Sequence, residues 1–189
     1  EGFDYPIYVN IKYPHAKTPP TIQKNYNPVG SYKRTFTIPA EWNGKDVILH
    51  VGAVSSAMYV WVNEQQVGYS EDSKTPAEFN ITKYLVEGEN SLAVEIYRWS
   101  DATYLEDQDF WRMSGITRDV YLIAQNKEHI RDFRVQSPLI NNYKDGKFEL
   151  SVDVVNGENT SVEAVLKDGD NVVTTLQGKA TGFNMSAEI

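Results

Sequence analysis

Hydrophobic and polar positions alternate with a period of two through much of the chain, the mark of half-buried β-strands. Between Tyr32 and Ile38, Phe36 and Ile38 fall on one face and Lys33, Thr35 and Thr37 on the other. Val47–Val51 is a short apolar run after the turn Asn43-Gly44-Lys45. Ala57–Val62 is apolar on both faces, with Met58, Val60 and Val62 opposite Ala57, Tyr59 and Trp61. This predicts a central strand covered on both sides. Asn63-Glu64-Gln65-Gln66 reads as a hairpin turn into Val67-Gly68-Tyr69. From Ser91 to Trp99, Leu92, Val94 and Ile96 alternate with Ala93, Glu95 and Tyr97, and Val120–Ala124 closes the series. The only helix candidate is a short turn near Ile81–Leu85. Residues 1–30 read as irregular, because Pro6, Pro14, Pro19, Pro20 and Pro28 repeatedly remove backbone donors. Tyr8-Val9-Asn10-Ile11 is a candidate short strand within them. A proline-rich wrap of this length has little core of its own and needs a surface to order it.

The register changes at the polar link Gln125-Asn126-Lys127-Glu128. Beyond it, Phe148, Leu150, Val152 and Val154 alternate with Glu149, Ser151 and Asp153. Val162, Ala164 and Leu166 repeat the pattern, and Val172–Leu176 follows the turn Lys167-Asp168-Gly169-Asp170. This is the texture of a sandwich with one wet face per sheet. The expected organisation is two domains, residues 1–125 and 126–189, the second with about four strands where a sandwich of this kind holds about seven. Such a unit leaves a sheet edge open.

Composition agrees with sheet: twelve Tyr, seven Phe and four Trp, few of them at helical spacing. The absence of cysteine removes disulfides, thiolate zinc sites and a cysteine nucleophile. With 18 Lys+Arg against 26 Asp+Glu, the net charge is −8 and no basic run occurs, a poor match to phosphate backbones. No apolar stretch reaches the ~18 residues of a membrane-spanning helix. Neither nucleic acid nor membrane is therefore an expected partner. The N-terminus lacks the basic and apolar regions of a signal peptide, and cytoplasm and periplasm both stay open. His15, His50 and His129 are far apart, outside any metal-ligand spacing, and read as surface or packed residues. No phosphate loop, nucleophile elbow or zinc signature occurs.

One segment differs from the rest. Arg98–Gly115 gathers Asp101, Glu106, Asp107 and Asp109 with two arginines, two tryptophans, a tyrosine and a phenylalanine. Carboxylates accept hydrogen bonds from sugar hydroxyls, and aromatic rings cover the apolar C–H face of a pyranose. The same composition also suits a surface loop tied down by Arg98 and Arg112 pairing with the acids. Adjacent Glu106 and Asp107 point to opposite faces of a strand, so they cannot together flank a glycosidic bond from one strand.

The stretches Arg98-Trp99-Ser100-Asp101, Tyr104-Leu105-Glu106-Asp107-Gln108-Asp109, Trp111-Arg112-Met113-Ser114-Gly115-Ile116 and Arg118-Asp119-Val120 resemble the N-terminal sugar-binding domain of large bacterial β-galactosidases of glycoside hydrolase family 2. Pro6-Ile7-Tyr8, Asn27-Pro28-Val29-Gly30, Val67-Gly68-Tyr69 with Asp72-Ser73, and Gly88–Val94 extend the likeness in order through residues 1–125. Gly115, Arg118 and Val120 are shared with the wider family, including β-glucuronidases, while the Arg-Trp-Ser-Asp and Leu-Glu-Asp-Gln-Asp motifs point to β-galactosidase. Residues 127–189 resemble the family's immunoglobulin-like second domain by position and strand pattern.

The resemblance implies an all-β chain: a jelly-roll (galactose-binding-like) sandwich lacking its opening strands, followed by a partial immunoglobulin-like sandwich. It implies a parent enzyme, a homo-oligomer whose TIM barrel carries both catalytic glutamates and a magnesium ion and hydrolyses terminal β-galactosides with retention. No residue of this chain is then catalytic, and the isolated chain is expected to be inactive. Asp101 matches the aspartate that contacts galactosyl hydroxyls and helps hold a sodium ion. Ser55 stands where the family uses an asparagine, which shortens the reach and leaves room for a water. Glu106, Asp107 and Asp109 are expected to shape the loop or face a neighbouring domain, and Trp111 and Arg112 to anchor it. Trp99, Tyr104, Phe110 and Trp111 would lie in one loop facing the absent barrel. The other readings are a stand-alone carbohydrate-binding module and a fragment of a β-glucuronidase or β-mannosidase.

Overall fold

The apolar positions of the alternating segments face each other across two sheets. The computed structural model describes residues 5–8, 12–106 and 108–189. It divides into two units, Glu1–Ala124 and Gln125–Ile189. The chain is all-β: among the described residues the only helical elements are four 3-10 turns, Lys24–Tyr26, Ala40–Trp42, Thr82–Tyr84 and Asp101–Tyr104. The turn expected at Ile81–Leu85 is one of them; the other three were not foreseen.

The first unit carries β1 (Ile7–Tyr8), β2 (Val29–Thr37), β3 (Asp46–Val51), β4 (Val54–Ser55), β5 (Ala57–Val62), β6 (Gln65–Glu71), β7 (Ala77–Asn80), β8 (Glu89–Tyr97), β9 (Trp111–Arg112), β10 (Gly115–Ile116) and β11 (Val120–Gln125). One sheet runs in the order β2-β8-β5-β6 and the other in the order β11-β3-β7. Between them lie Val47, Leu49 and Val51 of β3, Met58, Val60 and Val62 of β5, and Val94 and Ile96 of β8, all buried. Each fully buried aliphatic side chain of this kind contributes roughly 1.5–3 kcal/mol.

The central position read for β5 holds, since it pairs with β6 on one side and β8 on the other. Its second face is covered only in part, because Tyr59 and Trp61 are half-buried beside Tyr69 and Tyr97. Strand β2 starts three residues before the alternation shows and stays mostly exposed, as suits an edge strand. Strand β7 was missed. Its Phe79 leans over Gly68, where an added Cβ would come within 2.6 Å of the ring, so a glycine is required there. Of the candidate strand Tyr8–Ile11, Tyr8 is paired with Trp111, and Val9, Asn10 and Ile11 lie outside the described residues.

A buried asparagine closes the end of this sandwich. The Asn90 side chain accepts from Asn63 Nδ2 at 2.7 Å and from the Val86 N–H at 2.9 Å, and donates to Val86 O and Gly88 O. Asn63 in turn accepts from the Ser91 N–H at 2.8 Å, which ties the β5–β6 turn to the start of β8. Both side chains thereby satisfy backbone groups that burial would otherwise strand.

The second unit holds β12 (His129–Gln136), β13 (Leu139–Ile140), β14 (Asp145–Val155), β15 (Ser161–Asp168), β16 (Asn171–Lys179) and β17 (Phe183–Glu188). Strand β14 pairs with β12, β13 and β17, and β15 with β16. Phe148, Leu150, Val152, Val162, Leu176, Ala180 and Phe183 form its core. About four strands were expected and six are present. The difference comes mainly from β12, whose Ile130, Phe133 and Val135 are exposed, so it shows no buried alternation.

Candidate functional site

The acidic and aromatic segment after β8 is sorted by burial into two parts. Arg98, Trp99 and Ser100 turn inward. Trp99 is only 3% exposed, which corrects its expected place in an outward-facing loop. Asn27 clamps its backbone, accepting from the Trp99 N–H and donating to its carbonyl, both at 2.9 Å. Its ring packs on His15, with centroids 5.1 Å apart. Arg98 is buried as well, donating to Tyr5 O at 3.0 Å beside the rings of Tyr5 and Trp99.

The chain then enters the Asp101–Tyr104 turn. Thr103 closes it, its hydroxyl accepting from the Ser100 N–H at 2.9 Å. Tyr104 binds the turn to the proline-rich segment: its hydroxyl lies 2.7 Å from Ala16 O and accepts from the Thr18 N–H, while Tyr13 donates to Tyr104 O. His15 and Tyr104 meet edge to face at 4.9 Å. The surface that orders residues 12–21 is therefore this turn of the same unit. His15 is packed, His50 bonds Glu78 and stacks on Tyr121, and His129 bonds Asn126 O.

Asp101 itself is exposed at the first position of the turn. Its neighbour is Glu71, at the end of β6. Glu71 Oε1 accepts from the Ala102 N–H at 2.9 Å, its other oxygen accepts a short hydrogen bond from Tyr69, and the Asp101 carboxyl bonds to it too. That hydrogen bond and the Glu71 charge hold the Asp101 carboxyl above the usual carboxylate range. Burial pushes Glu71 up, but hydrogen bonds from Tyr69, Asp101 and the Ala102 N–H outweigh it and leave Glu71 below its ordinary value. Sequence reasoning missed Glu71. It sits between the recognised Val67-Gly68-Tyr69 and Asp72-Ser73, and its strand-end position gives no composition signal.

Residues 105–114 form the second part. Leu105, Trp111 and Met113 point outward, at 89%, 57% and 58% exposure. Glu106 lies in a turn rather than a strand and grips the loop after β6, accepting from Ser73 N at 2.7 Å and Ser73 Oγ at 2.6 Å. Asp107 lies outside the described residues. Asp109 accepts from the Tyr8 hydroxyl at 2.6 Å, and Trp111 packs on the Tyr8 ring at 5.4 Å. Arg112 is buried beneath Phe110, and burial lowers its pKa. Lys74 Nζ also stands over Phe110, 3.7 Å from the ring centroid.

Ser55 pairs with Gly115 between β4 and β10. Gly115 has φ 103°, a conformation that favours glycine. Ser55, Ser73, Glu106 and Arg112 line a cavity of about 50 Å³, to which Asp101 does not contribute. That volume suits a water or two, each taking about 30 Å³ in the liquid, and not a sugar ring. The structure thus gathers Ser55, Glu106 and Arg112 and sets Asp101 apart, beside Glu71. Among the described residues, no group of three or more His, Cys, Asp or Glu side chains is placed to hold a metal ion.

The first unit is thus a two-sheet sandwich that displays one carboxylate on a braced turn, a fold that many functions share. The sequence profile of the glycosyl hydrolases family 2 sugar binding domain matches residues 1–126, and the chain belongs to that family. It is 57% identical over 160 residues to a β-galactosidase of Priestia megaterium, covering 82% of this chain and 16% of that protein. It is 46% identical over 172 residues to a β-galactosidase of Clostridium acetobutylicum, covering 89% of this chain and 19% of that protein. The chain therefore spans less than a fifth of the length of these relatives. Among solved structures, a β-glycosidase from Bacteroides vulgatus aligns with a TM-score of 0.69 at 25% identity, over 85% of this chain and 21% of its own. The Bacteroides uniformis β-glucuronidase 2 aligns at 0.70 and 24%, over 96% of this chain and 24% of its own, and shares the fold.

Proposed function

We propose that residues 1–125 are the sugar-binding domain, and residues 126–189 the start of an immunoglobulin-like domain, of a retaining β-galactosidase acting on terminal non-reducing β-D-galactose. In this reading the chain supplies one wall of the galactosyl pocket and a catalytic barrel elsewhere in the polypeptide supplies both glutamates. The observation that carries it is the exposed Asp101 carboxyl on a turn braced from behind, while the cavity in the adjoining loops holds only about 50 Å³. The β-galactosidase identity of relatives at 57% and 46% supports the substrate class.

Asp101 would accept hydrogen bonds from galactosyl hydroxyls, and such charge-assisted bonds are among the stronger ones. Ser55, shorter than an asparagine, lines the small cavity, where a water would bridge the difference in reach. Carboxylate oxygen also suits a hard cation such as sodium, and Asp101 can offer that donor. The remaining ligands would come from outside the described side chains, and magnesium belongs to the catalytic domain.

The test is hydrolysis by the complete polypeptide encoded by the reading frame that carries this sequence. It is expected to cleave a chromogenic β-galactoside and to leave the matching β-glucuronide intact, while residues 1–189 alone cleave neither. Preference for the glucuronide, or turnover by residues 1–189, would overturn the reading.

A further inference from the structure

We propose that Glu71 is a positioning residue for Asp101, holding the Asp101–Tyr104 turn against the end of β6 so that the Asp101 carboxyl faces the sugar. The inference rests on the galactoside reading of Asp101 and concerns a residue outside the loop that carries the recognised motifs.

The turn cannot place itself. Within it, the Thr103 N–H bonds Ser100 O at 3.0 Å, the Leu105 and Glu106 N–H groups bond Ala102 O, and the Ser100–Thr103 capping box closes its start. Tyr104 anchors its far end to the proline-rich segment. At its near end the external contact is Glu71, whose carboxylate accepts from the Ala102 N–H at 2.9 Å, one residue after Asp101. A carboxylate at a helical start fills an otherwise unmet donor and complements its partial positive charge.

Glu71 is itself fixed. Its second oxygen is held by the Tyr69 hydroxyl from the same face of β6. The Tyr69 ring packs on Tyr59 at 4.7 Å, and Tyr59 contacts Tyr97 and Trp61 on the outer face of the sheet. Tyr59 belongs to β5, which is hydrogen-bonded on both sides. A continuous path therefore runs from the central strand through Tyr59, Tyr69 and Glu71 to the backbone next to Asp101. Sub-ångström placement of a binding carboxylate depends on this kind of support.

The test is a double-mutant cycle on kcat/KM for a chromogenic β-galactoside in the complete polypeptide. With Asp101 present, Glu71→Ala should lower kcat/KM about tenfold, the worth of one charge-assisted hydrogen bond. In an Asp101→Ala background the same change should cost less than about twofold. Glu71→Gln, which keeps an acceptor for the Ala102 N–H, should recover most of the loss. Equal losses in both backgrounds overturn the proposal, because Glu71 would then act independently of Asp101. A second measurement separates this from the galactoside reading. In residues 1–189, Glu71→Ala should speed amide exchange at Ala102 about tenfold while the β3 and β5 amides keep their protection. An unchanged Ala102 rate overturns the positioning role whatever the activity. A polypeptide inactive on β-galactosides overturns the galactoside reading alone.

Discussion

Residues 98–104 and 105–114 have similar compositions and opposite roles. In the first stretch, Trp99 is buried against His15, Arg98 lies beneath Tyr5, and Tyr104 bonds the proline-rich segment. In the second, Leu105, Trp111 and Met113 face outward, and the fixed points are polar: Glu106 on Ser73 and Asp109 on Tyr8. The first is a foundation that holds one carboxylate, Asp101, at the surface. The second displays apolar side chains around the buried Arg112 and the β1–β9 pair, suited to contact with another surface. An aromatic residue next to a carboxylate therefore does not by itself mark a sugar contact; its burial decides which of the two roles it plays.

The largest test of this division compares the two tryptophans. Trp99→Ala should destabilise the first unit by about 3–5 kcal/mol, as expected for a large buried aromatic. Trp111→Ala should cost about 1 kcal/mol or less, since the residue is mostly exposed and its ring packs on Tyr8. Urea unfolding followed by circular dichroism measures both, and similar costs would erase the distinction. The next effect is smaller and local. Glu106→Ala removes two hydrogen bonds to Ser73 and should cost about 1.5–3 kcal/mol. It should raise amide exchange at Ser73 while leaving Ala102 protected. Loss of protection at both would mean that the two stretches are one cooperative piece.

The smallest effect is a titration. Burial, then the hydrogen bond to Glu71, holds the Tyr69 hydroxyl above the ordinary tyrosine value. Its neutral form is favoured by folding, so this contribution is present below the unfolded value of about 10 and is lost as pH rises through the raised one. Side-chain carbon NMR should show Tyr69 ionising above the ordinary tyrosine value. Glu71→Gln should lower its midpoint only in part, because burial remains. A Tyr69 midpoint in the ordinary range would break the link between β6 and the turn.

What the sequence disclosed follows the physics of each segment. Strands β3, β5, β8 and β14 each bury all or most of one face, so they are written in residue type as apolar runs or as alternation. Strands β7 and β12 are short or exposed, and their pairing is decided by neighbours far along the chain. Asp101 was legible because it sits in a dense motif. Glu71 was not, because its role depends on β6 ending beside a turn thirty residues later, a juxtaposition made by topology. Trp99 was misplaced for a related reason: residue type announces an aromatic anchor but not the direction in which the backbone turns it.

Asp101 is the galactoside-binding group we propose for this chain. The most direct measurement is kcat/KM for a β-galactoside in the complete polypeptide with and without Asp101→Ala. A fall of about 10- to 100-fold is expected, the cost of losing charge-assisted hydrogen bonds to the sugar, with the fold of residues 1–189 retained. Activity unchanged to within about twofold would contradict it.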